Sequence, residues 1–313
     1  MNFELTAFDP DFPMALRETH PPVSMVFGLG SSAVLLALGS QPGLAIVGSR
    51  QATPQGLADA HWFAREIGQA GLTIVSGLAL GIDASAHRGA LAGGGTTIAV
   101  LGHGRDSIYP AQHRPLASEI LGQGGALITE YPDGTPARPF HFPSRNRIIA
   151  GLSRAVLVVE AAPQSGSLST ARHALDLGVD VFVVPGSIHQ AQSLGSNRLI
   201  RDGAQLVQSP QQLLEDLGLT RKPPPSTEKA AQTSCEAESC FAAPTRSVPD
   251  GIVLDPESKR VLAALDFQAA SVADLQQACG VAKDRLYGCL LILELSGLVN
   301  RTPDGRWLKY KIL

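Results

Sequence analysis

Leu44-Ala-Ile-Val-Gly-Ser-Arg50 decides the fold. Four consecutive apolar residues read as a strand buried on both faces, broken by a glycine, a hydroxyl and a guanidinium. A helix follows from about Pro54 to Ala70. The same unit then returns. Thr73 to Val75 is a strand, followed by Ser76-Gly77-Leu78-Ala79 and a helix from Asp83 through Leu91. Thr97 to Leu101 is a strand, His113 to Leu121 is helical, and Ala126 to Thr129 is a strand. After a helix opened by Pro143 come a strand at Ala155 to Val159 and a helix from about Leu168 to Leu177. Val181 to Val184 is a strand ending in Pro185-Gly186, and a last helix covers about Ser196 to Asp202. Apolar runs alternating with helical patterns imply βαβ units, an α/β fold and a parallel sheet covered on both faces. Ligands of such sheets bind beyond the carboxyl ends of the strands.

Three loops at that edge suit an anion. Gly48-Ser49-Arg50 offers an approachable backbone, a hydroxyl and a guanidinium fork. Ser165-Gly166-Ser167-Leu-Ser169-Thr170 opens a helix with hydroxyls, which either cap the helix or meet a phosphate. In Phe140-His-Phe-Pro-Ser-Arg-Asn-Arg-Ile-Ile-Ala-Gly-Leu-Ser153, Pro143 suits the first helical turn, and Ser144, Arg145, Asn146 and Arg147 would open it. Arginines there oppose the macrodipole, so an anion would complete the arrangement. The alternative is a structural network in which both arginines pair with carboxylates. Phe140 and Phe142 either stack on bases of a single strand or pack beneath the Pro143 turn.

No reaction centre emerges beside these loops. The first lysine is Lys222, so no Walker-type lysine is present, and no His-Cys-Asp cluster has metal spacing. No metal or cofactor is therefore expected. Asp83 and His87, four apart, read as a capping acid beside a structural histidine or as an acid–base pair. His103, between Gly102 and Gly104 after a strand, reads as a turn residue, with contact to a ligand as the alternative. Glu130 and Glu160 follow strands where bases would sit, without a nucleophile beside either. Gly28-Leu-Gly30-Ser-Ser-Ala33 fits a loose dinucleotide fingerprint but lacks the acidic residue about 20 positions on, and reads as a turn.

The remaining chain divides by composition. Residues 1 to 43 form a lead-in expected to pack on the core, and 44 to 220 carry the α/β alternation. Residues 221 to 250, rich in Pro, Ser, Thr, Glu and Gln, read as a flexible linker. Over 251 to 313, three short helices (Glu257 to Phe267, Val272 to Cys279, Ala282 to Ser296) precede a turn at Pro303-Asp304-Gly305-Arg306 and a strand from Trp307 to Ile312. That is the outline of a winged helix. Its third helix carries Lys283 and Arg285 but also Asp284 and Glu294, which favours a protein contact or weak duplex contact over sequence-specific binding. The net charge of -3 argues against non-specific polyanion binding through the overall field, so a nucleic acid would need a local patch. Four cysteines in 313 residues make no disulfide framework, and no apolar run approaches a membrane span. The expected compartment is the cytoplasm.

Ordered motifs resemble the DNA-processing protein A family (DprA, also called Smf). They are AIVGSR at Ala45 to Arg50, VSGLALGIDASAH at Val75 to His87 and GTTIAVLGHG at Gly95 to Gly104. FPSRNRIIAGLS at Phe142 to Ser153, VLVVEA at Val156 to Ala161, SGSLSTA at Ser165 to Ala171 and VVPG at Val183 to Gly186 continue the match. The resemblance implies an extended Rossmann-like domain followed by a small winged-helix domain. It implies a homodimer that binds and protects single-stranded DNA and loads the RecA recombinase during natural transformation, with no catalytic activity established. It places Arg50, Arg145, Asn146 and Arg147 in the strand-binding set, with Ser165, Gly166, Ser167 and Thr170 as phosphate neighbours. A basic residue often found before the FP turn is replaced here by the stretch Arg138 to His141. The competing reading is a nucleoside-monophosphate phosphoribohydrolase, whose PGGxGTxxE signature ends in glutamate. Here SGSLSTARHA places His173 at that position.

Overall fold

The computed structural model describes residues 2–38, 43–219, 255–265, 271–295, 298–301 and 306–309. The chain divides into two compact units, Met1–Ser226 and Thr227–Leu313. The expected linker, Cys235, Cys240 and most of the turn before Trp307 lie outside the described residues.

In chain order the first unit comprises β1 (Asn2–Thr6), β2 (Met25–Gly30), α1 (Ala33–Ala37), β3 (Gly43–Val47), α2 (Pro54–Gln69), β4 (Ile74–Ser76), α3 (Ile82–Ala92), β5 (Thr97–Val100), α4 (Arg114–Gly122) and β6 (Ala126–Thr129). There follow α5 (His141–Gly151), β7 (Ser153–Val158), α6 (Ser167–Asp176), β8 (Asp180–Val183), α7 (Leu194–Arg201), β9 (Gln205–Leu206) and α8 (Pro210–Asp216). The nine strands form one sheet in the order β1-β2-β6-β5-β4-β3-β7-β8-β9. From β6 to β9 every pairing is parallel. The inner strands β3, β4 and β5 are buried at every position, as their apolar runs require.

The lead-in does more than pack on the core. Its β1 and β2 extend the sheet, with β2 antiparallel to both β1 and β6, so the parallel sheet carries an antiparallel edge. Buried Arg105 ties this edge down. Its Nη1 donates to Phe3 O at 2.8 Å and Gly28 O at 3.2 Å, and its guanidinium pairs with Glu4 at 2.7 Å and Asp133 at 3.1 Å. Gly28, in the discounted fingerprint, sits in β2 where the Phe3 ring occupies the space of a Cβ.

Apolar side chains cover both sheet faces. Phe63, Ile67, Ile82 and Leu213 lie on one side, and Leu16, Leu35, Ile148 and Ala171 on the other. Helices α2 and α3 approach until glycine is required. A Cβ on Gly89 would lie 2.3 Å from His61 O, and one on Gly93, just past α3, 2.6 Å from Arg65 O. Gly89→Ala is therefore expected to destabilise the unit by about 1–3 kcal/mol, since two backbones must separate. Urea denaturation checks this, and an unchanged midpoint would contradict the packing.

The second unit contains α9 (Pro256–Ala264), α10 (Val272–Cys279), α11 (Lys283–Leu295) and the antiparallel pair β10 (Val299–Arg301) and β11 (Trp307–Lys309). Ser271 and Asp274 form a capping box at the start of α10. Val261, Leu275, Leu286, Leu290, Leu293 and Trp307 share one core. This is the winged-helix outline. No helix among the described residues is long and apolar enough to cross a membrane.

Candidate functional site

The strand order creates the site. From β3 the chain lays β4, β5 and β6 successively to one side, then crosses back through α5 to place β7 on the other side of β3. The loops after β3 and β7 therefore diverge, leaving a crevice at their carboxyl ends. A cleft of about 640 Å³ occupies it, lined by Gly48, Ser49 and Arg50 after β3 and by Ser165, Gly166, Ser167 and Thr170 after β7. Phe142, Arg145 and Asn146 of α5 also line it, with Asp83, Tyr109, Gln51 and Gln164. Ten residues singled out from sequence thus meet in one place; Phe140 and Arg147 do not line the cleft.

Arg50 is the cation at the mouth. It is exposed, and none of the described carboxylates forms an ion pair with it. Its guanidinium lies 5.2 Å from the centroid of the Phe142 ring. Tyr109 faces Phe142 from the loop after β5, with ring centroids 5.6 Å apart. Sequence reading passed over Tyr109. The available signal was an aromatic residue before a proline in a loop at the same sheet edge.

Arg145 belongs to the cleft floor. Helix α5 starts at His141, two residues before Pro143, so Arg145 and Arg147 lie in the second turn rather than at the N-terminus. The macrodipole reasoning therefore does not apply to them. Arg145 is 3% exposed, and its Nη1 donates to Gly77 O at 3.0 Å and to Val100 O. Burial pulls its pKa down to about 10, against the favourable field of Asp83.

Asp83 sits at α3's first turn and accepts from Gly77 N at 3.1 Å and Ala79 N at 3.4 Å. Leu78 between them adopts φ 55°, a conformation rare for a branched side chain. The His113 Nδ1–H donates to its carbonyl at 2.8 Å, and its side chain is fully buried. This left-handed residue turns two N–H groups toward one carboxylate, an anion nest filled by the protein's own acid. Burial pushes the Asp83 carboxyl above its ordinary range, opposed by Arg145 and the two N–H groups.

Arg147 follows the structural-network alternative. It pairs bidentately with Glu130 at 2.7 and 2.5 Å and donates to Pro21 O at 2.8 Å and Ser144 O at 2.7 Å. Asn146 donates to Gly166 O at 3.1 Å and Ser169 Oγ at 2.7 Å, holding the α6 turn against α5. Phe140 is 63% exposed, edge-on to His141 and beneath Arg138. It is neither core nor cleft.

The acid–base candidates are occupied elsewhere. His87 is fully buried, its Nδ1 lies 2.7 Å from Thr97 Oγ1, and burial pulls its pKa down to about 3. It makes no pair with Asp83. His103 bonds to Gly104 O at 2.9 Å, as a turn residue would. Glu130 serves Arg147, and Glu160 accepts from Thr53. Among the described residues, the side chains of Asp255, Glu257 and Cys289 are close enough to hold a metal. However, Asp255 caps α9 and Glu257 pairs with Arg285.

The family model described as DNA recombination-mediator protein A matches residues 4–218, and that described as DprA winged helix domain matches 242–305. The chain belongs to the DNA recombination-mediator protein A family. A Synechocystis relative named Protein Smf is 38% identical over 97% of this chain and 79% of its own. The crystal structure of DNA processing protein A from Streptococcus pneumoniae is similar at TM-score 0.63 and 41% identity, covering 68% of this chain and 74% of that one. A solved structure of DNA processing protein A from Helicobacter pylori, described for its unique single-stranded DNA binding mode, is similar at TM-score 0.61 and 30% identity, covering 69% of this chain and 95% of that one.

Proposed function

We propose that this family member binds single-stranded DNA in the β3/β7 cleft, protects incoming strands and loads the RecA recombinase onto them during natural transformation. The observation that carries the reading is Arg50, a solvent-facing guanidinium that forms no ion pair among the described residues, set over Phe142 beside the hydroxyl-lined start of α6. A phosphate at Arg50, Ser49 and the Gly48 backbone, continued by Ser165, Gly166, Ser167 and Thr170, leaves the neighbouring base facing Phe142 and Tyr109. Arg145 and Asn146 shape the floor, Arg147 braces α5, and Phe140 offers a stacking face outside. The Helicobacter pylori relative supports the ligand class.

In this proposal residues 44–220 hold the strand, and 251–313 form a winged-helix unit joined by a linker over 221–250. The protein works as a cytoplasmic homodimer whose two clefts lengthen the path, and it performs no chemistry on the strand. Fluorescence anisotropy of labelled single-stranded and duplex oligonucleotides tests this. The single strand should bind more tightly, with a log–log salt slope of about -0.7 for each of roughly 2–4 phosphates per protomer. Equal affinity for duplex, or release of adenine from AMP by the purified protein, would defeat the reading. Recombinase loading is checked by the rate of RecA filament formation on strands pre-coated with single-strand-binding protein.

A further inference from the structure

We propose that Glu160 is the positioning residue for Arg50, an inference that rests on the single-strand reading of the cleft. Glu160 lies two residues past the end of β7, is 6% exposed and reaches across the crevice to the start of α2. Its main-chain carbonyl accepts from Ser49 N at 2.6 Å. Its carboxylate accepts from Thr53 N at 2.9 Å and from Thr53 Oγ1 at 2.5 Å. Thr53 in turn caps α2, its Oγ1 accepting from Gly56 N at 3.0 Å. Gly56 makes room for the carboxylate, since a Cβ there would lie 2.3 Å from Glu160 Cδ. One residue therefore fastens both ends of the segment from Ser49 to Thr53, with Arg50 inside it.

The other side of that segment is fastened as well. Ile82 N donates to Ser49 O at 3.2 Å, and Gly81, at φ 78°, comes so close that a Cβ would clash with the same carbonyl. Arg50 itself forms no ion pair among the described residues, so the backbone beneath it, with the Phe142 ring, sets where its fork stands. A buried carboxylate beside an anion cleft acts against the ligand through charge alone. Its geometric service to the Arg50 loop gives a physical reason for an acid at that place.

The two effects have opposite signs, which makes the test decisive. Glu160→Gln keeps the shape, removes the charge and leaves one of the two Thr53 donors poorly matched. If charge alone mattered, binding of fluorescein-labelled oligothymidylate to the full chain would tighten. Positioning predicts about fivefold weaker binding and a log–log salt slope shallower by about 0.7. It also predicts little further loss when Arg50→Ala is added, because both changes remove one contact. Thr53→Val, which leaves the Glu160 charge in place, should weaken binding in the same direction if Glu160→Gln fails to fold. Tightened or unchanged affinity in a folded variant, or losses that add with Arg50→Ala, would overturn the proposal. Absence of strand binding by the unaltered protein would remove the underlying reading instead.

Discussion

Arg50→Ala is expected to weaken single-strand binding by about tenfold or more at physiological salt, the loss of one charge-assisted phosphate contact. The same variant should melt within about 2 °C of the parent, as surface replacements do. Both halves follow from one observation. Arg50 is exposed, pairs with no described carboxylate and touches the fold through its position over the Phe142 ring. Removing it takes a cation from the cleft mouth and no packed side chain from the core, where only its field at buried Asp83 is lost. The salt slope should become shallower by about 0.7, because one fewer counterion is displaced. Anisotropy titrations at several salt concentrations, beside thermal melts, read both quantities. Unchanged affinity would remove the cleft mouth from the binding path. A large fall in melting temperature would show that Arg50 has a structural task.

Arg147→Ala is expected to do the reverse. Its guanidinium and the Glu130 carboxylate are 4% and 18% exposed, and the same side chain joins Pro21 O to Ser144 O. Truncation strands a mostly buried carboxylate and main-chain oxygens, which costs about 2–4 kcal/mol. For a unit of this size the melting temperature should fall by roughly 5–12 °C. At temperatures where the variant stays folded, single-strand affinity should stay within about twofold of the parent, since the side chain does not line the cleft. A variant that melted like the parent but lost binding would return Arg147 to the strand-binding set.

Sequence alone put Arg145, Asn146 and Arg147 in a single class, because all three are polar donors beside a proline. Their division is set by the helical period of α5 and by what packs on each of its sides. Starting at His141, the helix turns Arg145 and Asn146 toward the cleft and Arg147 toward Glu130. At about 100° per residue, side chains two apart point to nearly opposite sides of a helix, which three adjacent letters do not display. The parallel strands were legible for the opposite reason. Leu44 to Val47, Ile74 to Val75 and Ala126 to Thr129 are buried on both faces and need unbroken apolar runs.

The edges of the sheet were less visible. β1 alternates partly buried and exposed residues over five positions, and β9 has only two residues, both exposed. Strands so short carry little periodicity, and their place depends on partners distant in sequence, such as Arg105 holding β1. The Asp83 nest was hidden as well. Its geometry depends on a left-handed leucine that only the surrounding packing enforces. Yet the convergence of Gly48-Ser49-Arg50 with Ser165-Gly166-Ser167 was readable, because both loops follow parallel strands and must open on the same edge.

The most direct test of the central claim is to find which residues touch the strand. An oligonucleotide carrying 5-iododeoxyuridine is bound to the full chain, photo-crosslinked and mapped by mass spectrometry of the modified peptides. Crosslinks to Tyr109 and Phe142, lost on competition with unlabelled single strand, are the result predicted for a strand held in the β3/β7 cleft. Crosslinks confined to the winged-helix unit, with none in the loops around β3 and β7, would contradict it.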